Sequence, residues 1–262
     1  YAFTPGRVLD LLSQAAGRLP KLPADTIDRN VLLGLRMPQA SASSHSPIIR
    51  EDPTFALCCV FGFAIAYAVL YPGFMTNDSA MQLAEARRGT YSDWHPPVMA
   101  WLWRWIDLVL PGSAGMLVLQ LGLMWTGLYL AMSAIVPGSA TTRFAFAVML
   151  FLLPPVLGWA GAITKDSLLI GAALAATGTL LRAARLPSRG GTDGYWIGAT
   201  IGFLSLVAAL RHNGVFLISG LALTGFLMAR AHREQRRAWR MGLLVLIVPI
   251  ALGQGANRLL TD

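Results

Sequence analysis

Charged side chains are scarce in this chain. Only 13% of its 262 residues are Asp, Glu, Lys or Arg, while 55% are hydrophobic. Soluble domains carry about 25% charge, so this composition excludes a large soluble core and points to an integral membrane protein. Acid is scarcer than base: 13 Asp and Glu stand against 21 Lys and Arg, a net charge of +8. The basic residues are mostly arginines flanking apolar runs, an arrangement that serves anionic headgroups and membrane orientation, not nucleic acid. Cysteine is nearly absent. Cys58 and Cys59 are adjacent in an apolar run, a spacing that closes no ordinary disulfide and supplies no metal site. The opening residues also lack a signal-peptide pattern.

Long apolar runs are abundant. A membrane-crossing helix needs about 20 mostly apolar residues. The runs 54 to 71, 114 to 136, 144 to 161, 166 to 182, 195 to 211, 214 to 230 and 241 to 257 give an expected seven spans. Segment 98 to 110 is short, holds Arg104 and Asp107, and carries Trp101, Trp103 and Trp105. Tryptophan favours the headgroup region, so this segment reads as a helix lying along the membrane surface. The fold class is therefore all-α: a polytopic transmembrane helix bundle of about seven spans, with surface helices in the first external loop. Residues 1–53 read as a cytoplasmic N-terminal tail and 54–262 as the membrane module. Within the tail, Val8, Leu9, Leu11, Leu12 and Ala15 have helical spacing, as a surface helix does.

Basic residues set the orientation. With the N-terminus inside, fifteen of the 21 Lys and Arg fall on the inside, Arg143, Arg182 and the run Arg230 to Arg240 among them. Only Arg87, Arg88, Arg104, Lys165, Arg211 and Arg258 fall outside. That is the expected bias. If 98 to 110 crossed the membrane, every later loop would change side and the bias would be lost. The expected location is a membrane, with the N-terminus in the cytoplasm and the functional face outside.

Under this topology three polar clusters share the outside. The first is Thr76-Asn77-Asp78-Ser79 with Asp93-Trp94-His95 close behind. The second is Thr164-Lys165-Asp166-Ser167, and the third is Arg211-His212-Asn213-Gly214. Ionisable groups at a membrane face are costly and mark function. Each also has a plainer reading. Asp78 is either a first-turn helix acid, with Ser79 and Gln82 at capping-box spacing, or a general base. His95 begins a rigid Pro-Pro turn, and Trp94 suits stacking on a sugar or anchoring at the interface. Lys165 at a helix start attracts phosphate, or else it snorkels to headgroups while Thr164 or Asp166 caps the helix. Arg211 clamps phosphate in bidentate fashion or binds lipid. Asn213 is a ligand or a turn residue.

Together the motifs resemble those of the GT-C superfamily of polytopic membrane glycosyltransferases. Tyr71-Pro72-Gly73, Asn77-Asp78-Ser79, Gln82 and Asp93-Trp94-His95-Pro96-Pro97 are similar to that superfamily's first external loop. Lys165-Asp166 and Arg211-His212-Asn213-Gly214 are similar to two further motifs of one of its branches, with His212 standing between Arg and Asn. The resemblance runs from about residue 54 to 257. It implies a sugar donor on polyprenyl phosphate, a lipid or glycan acceptor, catalytic roles for Asp78 and His95, and substrate contacts from Asp93, Trp94, Lys165, Asp166, Arg211 and Asn213. It implies no certain cofactor. A divalent cation binds some members, though no dense carboxylate cluster here demands a metal. A transporter or lipid flippase is the rival expectation and would show mid-span polar groups, broken helices and an internal repeat. No repeat is apparent in the sequence. A non-catalytic scaffold would leave the three clusters as coincidence.

Overall fold

The computed structural model describes residues 52–92, 96–185, 192–231 and 235–261, all within one compact unit, Ile48–Asp262. The N-terminal tail with its expected surface helix lies outside the described residues, and so do Asp93, Trp94 and His95. The described chain is all-helical apart from one short strand pair. In order it forms α1 (Pro53–Leu70), β1 (Phe74–Met75), α2 (Asn77–Arg88), α3 (Val98–Val109), α4 (Ser113–Ile135), α5 (Ala140–Phe151), α6 (Pro154–Ala160), β2 (Ala162–Ile163), α7 (Lys165–Arg185), α8 (Thr192–Leu210), α9 (Gly214–Ala231) and α10 (Gln235–Thr261).

Four helices are long and apolar enough to cross a membrane: α1, α4, α7 and α10. The run expected as a single span over 144 to 161 is instead two helices, α5 and α6, meeting at 77°. Pro154-Pro155 explains the break. Proline removes amide donors and bars the preceding residue from helical backbone, and Leu153 is extended at φ −55° and ψ 130°. Counted as one broken span, the pair makes five. The apolar parts of α8 and α9, Gly194–Leu210 and Gly214–Arg230, are shorter. Four or five of the seven expected spans thus meet the length and composition test.

The bundle is held at close range by small residues. Between α4 and α7, a Cβ on Gly127 would lie 2.5 Å from the Leu174 carbonyl carbon, and one on Gly178 would lie 2.5 Å from Leu130 Cβ. Ala172, Ala175 and Ala176 are buried along the same helix. Lipid tails are as apolar as leucine, so helices in a bilayer associate by close packing and not by expulsion of water. An added methyl at Gly127 would press on backbone, and overpacking of this kind costs about 1–3 kcal/mol. Helix α7 is the hub. Its Leu168 joins a core with Phe55, Met99, Trp103, Met116 and Leu121. Its Ala172, Ala176 and Leu180 join a second core with Leu204, Ile218, Met241 and Val245. Helix α1 seats on α4 through Gly62, whose Cβ would fall 2.3 Å from the Trp125 ring.

Arg182, counted above with an inside loop, lies within α7 and is only 3% exposed. Its guanidinium donates to Ser133 Oγ at 3.0 Å and lies 5.5 Å from the Tyr129 ring centroid and 4.9 Å from that of Trp196. Desolvated cation–π contacts of this type reach about 2 kcal/mol, so this arginine ties α4, α7 and α8 at the end of α7 remote from Lys165.

Candidate functional site

One end of the bundle gathers the described residues of the three polar clusters, and the strand pair brings the first two together. β1 and β2 run parallel, Phe74 opposite Ala162 and Met75 opposite Ile163, with the Phe74 amide donating to Gly161 O at 2.8 Å. Immediately after each strand residue comes the same local motif: Thr76-Asn77-Asp78-Ser79 after Met75, and Thr164-Lys165-Asp166-Ser167 after Ile163. Both fold alike. Thr76 Oγ1 accepts from the Ser79 amide at 3.3 Å, and Thr164 Oγ1 accepts from the Ser167 amide at 3.2 Å. The paired hydroxyls are 2.8 Å apart in the first motif and 2.9 Å in the second. The result is two neighbouring helix starts with Asp78 and Asp166 at the second position of each.

This corrects two sequence expectations. The capping box of α2 is Thr76 with Ser79, not Ser79 with Gln82. A threonine oxygen fills the capping role, so the carboxylate of Asp78 is not needed as the cap. Asp78 is exposed in the first turn of α2, where the helix dipole favours its charge. The sequence also holds a short echo after all, Thr-x-Asp-Ser twice, which the strand pair sets side by side.

Serines lock the two starts to the bundle. Ser79 Oγ, 1% exposed, donates to Ile163 O, and Ser167 Oγ donates to Trp159 O at 2.7 Å. Gln120 of α4 donates from Nε2 to Ala160 O at 2.8 Å and Ala162 O at 3.1 Å, fixing the strand from below. Its Oε1 and that of Gln82 are buried without a hydrogen-bond partner among the described residues. A lone amide within an apolar run was the signal that could have revealed Gln120.

The third cluster reaches the second. Arg211 NH2 donates to Asp166 Oδ2 at 2.8 Å, and Nε stands 2.6 Å from Oδ1, off-line for a hydrogen bond. Both side chains are part-exposed, 40% and 29%. The expected clamp therefore closes on a carboxylate of the second cluster, and the guanidinium's NH1 has no hydrogen-bond partner among the described residues. Helix α10 supports this corner: Asn257 Nδ2 donates to Ala209 O at 3.0 Å, satisfying a carbonyl left open at the end of α8. His212 and Asn213 are exposed in the turn. The Asn213 carbonyl accepts from Phe216 at 3.2 Å, a turn role for its backbone.

Away from the site, α2 and α3 are clamped. Arg87 donates to Asp107 through Nε at 2.8 Å and NH2 at 3.1 Å, while the Gly112 amide donates to the same carboxylate at 2.7 Å. The Arg87 hydrogen bond holds the Asp107 carboxyl below the usual carboxylate range, against the opposing effect of its burial. Glu85, 8% exposed, accepts from Ser92 Oγ at 2.5 Å just before the segment of Asp93, Trp94 and His95. Sequence reading passed over this buried acid.

An apolar groove of about 350 Å³ runs between α1, Trp125 of α4 and the bent α5–α6 pair, from Phe61 to Leu70 and Leu157. It ends beside the strand pair, since a Cβ on Gly161 would lie 3.1 Å from the Leu70 side chain. Among the described residues no group of three His, Cys, Asp or Glu is placed to hold a metal ion.

Comparison with family models, with curated proteins and with solved structures finds no match to this chain. The functional reading therefore rests on sequence motifs and geometry.

Proposed function

We propose that this chain is a membrane glycosyltransferase that moves a sugar from a polyprenyl-phosphate donor to a lipid or glycan acceptor on the extracytoplasmic side. The observation that carries the reading is the convergence of Asp78, Lys165, Asp166 and Arg211 at one end of the bundle from three separated stretches of sequence. Two further features support it. Adjacent helix starts favour anionic groups, and an apolar groove leads from the lipid-facing side to the strand pair. Its length and chemistry suit an isoprenoid chain.

In this reading α5 with α6, α8 and α9 also cross the bilayer, giving seven crossings. Seventeen residues of helix span roughly 25 Å, at the lower limit for crossing. All three clusters then face the periplasm of a bacterial inner membrane, with the N-terminus in the cytoplasm. Asp78 takes the proton from the acceptor hydroxyl as its oxygen bonds to the anomeric carbon. The bond from that carbon to the phosphate oxygen breaks, and the phosphate leaves with the electron pair. Because phosphate departs ionised, no general acid is required. Lys165, the start of α7 and NH1 of Arg211 hold that charge, while Asp166 fixes the orientation of Arg211. Asp93, Trp94, His95 and Asn213 are the proposed acceptor side.

A transporter or flippase is the second reading. It draws on the break at Pro154-Pro155 and on the Thr-x-Asp-Ser echo, although the echo is parallel and not inverted. The two readings separate on Lys165→Gln. Glycosyl transfer predicts that donor affinity falls by roughly ten- to a hundred-fold, the loss of one charge-assisted hydrogen bond, while acceptor affinity is largely kept. Titration of each substrate against the purified protein measures this, and equal losses for both substrates would contradict the assignment of Lys165 to the donor phosphate.

A further inference from the structure

A second polar cleft lies at the far end of α2 and is separate from the cluster of Asp78, Lys165 and Arg211. It has a volume of about 520 Å³ and is walled by Gly89, Tyr91, Trp101, Arg104, Trp105 and Thr261. Gly89 closes α2 in left-handed backbone at φ 73°, and eleven helical steps put it roughly 17 Å from Asp78. One small group cannot touch both places.

The walls are chemically specific. Trp103 turns inward, fully buried, with its indole N–H on Gly112 O at 3.0 Å. Trp101 and Trp105 turn outward, 39% and 55% exposed, with ring centroids 6.5 Å apart at 74°. Arg104 lies between them in sequence and packs its guanidinium on Gly89, where a Cβ would meet NH1 at 1.8 Å. Arg104 makes no hydrogen bond or ion pair with a described residue. Its neighbour Arg87 is neutralised by Asp107, and Arg104 is the one charged side chain among the described residues that wall the cleft. No acid is among the described residues that wall the cleft.

We infer that this cleft binds the phosphate ester of a polyol, with the phosphate on the Arg104 fork and the polyol carbons against Trp101 and Trp105. An arginine fork matches phosphate oxygens two at a time, and aromatic faces accept the C–H surface of a polyol. The same chemistry comes from two sources, the glycerol phosphate headgroup of an outer-leaflet lipid or a soluble sugar phosphate. The inference stands independently of the glycosyltransferase reading.

The test uses the full chain in a phosphate-free maltoside detergent. Calorimetric titration is run with short-chain phosphatidylglycerol, with glucose 1-phosphate and with glucose. Binding of phosphatidylglycerol alone assigns the lipid source, and binding of glucose 1-phosphate assigns the soluble one. Glucose should bind at least ten-fold more weakly than either ligand that binds. Arg104→Gln should weaken binding by roughly ten- to a hundred-fold, and Arg104→Lys should fall between, having charge without the fork. Trp105→Phe changes little in the fold and should still weaken binding several-fold. Arg88→Gln, which does not wall the cleft, should bind as the unaltered chain does. Failure of both phosphate probes to bind would overturn the proposal. So would wild-type affinity in Arg104→Gln, or in Trp105→Phe should the Gln variant not fold.

Discussion

The ion pair between Asp166 and Arg211 yields the sharpest quantitative expectation. Two unit charges about 4 Å apart attract by roughly 4 kcal/mol at an effective dielectric of about 20. The side chains here are 40% and 29% exposed, so water screens the attraction, and fully exposed pairs are worth only about 0.2–1 kcal/mol. The pair joins the start of α7 to the end of α8 through one good hydrogen bond. An intermediate coupling of about 1–2 kcal/mol follows from these bounds. The perturbations are Asp166→Asn, Arg211→Gln and the double variant. Unfolding free energies from SDS titration of each close a double-mutant cycle. Either single variant strands a part-buried charge and is destabilised, and the double variant recovers part of that loss. Transfer activity separates structure from chemistry. If NH1 of Arg211 also holds the donor phosphate, the double variant regains stability but stays at least about ten-fold slower in transfer. A coupling within about 0.3 kcal/mol of zero would refute the structural claim. Wild-type transfer by the double variant would refute the phosphate role.

Two further outcomes are expected. The Asp107 carboxyl has a depressed pKa because Arg87 donates to it, so its contribution is present above the unfolded value of about 3.9 and is lost as pH falls through the lower folded value. Thermal unfolding should therefore show no Asp107-linked change from pH 8 to about 5 and an acid-induced drop below about 4 that Asp107→Asn removes. A drop centred near neutral pH would contradict the clamp. For topology, single cysteines at Ser92, at Asp166 and at Asn213 should all label from the outside with an impermeant thiol reagent, and one at Gly191 should not. Labelling of 92 and 213 from opposite sides would show that α3 crosses the bilayer.

Much of the fold was legible because apolar length is a direct readout of a bilayer-crossing helix. The boundaries of α1, α4 and α7 follow the hydrophobic runs to within about three residues. The break in α5–α6 was written in Pro154-Pro155, yet hydropathy averages over it, since proline interrupts hydrogen bonds without adding charge. Arg182 shows a different limit. Charge counting treats any arginine near a span end as a loop residue, whereas aromatic rings and a serine hydroxyl keep this one inside the bundle. The site was legible as types and sides but not as partners. Lys165, Asp166 and Arg211 were recognisable as ionisable groups at helix ends. That Arg211 grips Asp166 depends on how α8 packs on α7, which no local pattern records. The Thr-x-Asp-Ser echo is too short to stand out in sequence, and only the pairing of β1 with β2 gives it meaning. Gln120 and Asn257 hold backbone carbonyls where helices and a strand end, a task visible only once those ends are adjacent.

Asp78 is proposed as the base of a glycosyl-transfer site. Asp78→Asn tests it most directly, because asparagine keeps the size and the helix-start preference while removing the base. The cap of α2 is Thr76, so the variant should fold, with unfolding free energy changed by less than about 1 kcal/mol. The measurement is the rate of sugar transfer from a radiolabelled polyprenyl-phosphate donor in reconstituted membranes, alongside donor affinity. Transfer should fall by roughly 10²-fold or more with donor affinity nearly unchanged. A folded Asp78→Asn protein that transfers sugar at the wild-type rate would contradict it.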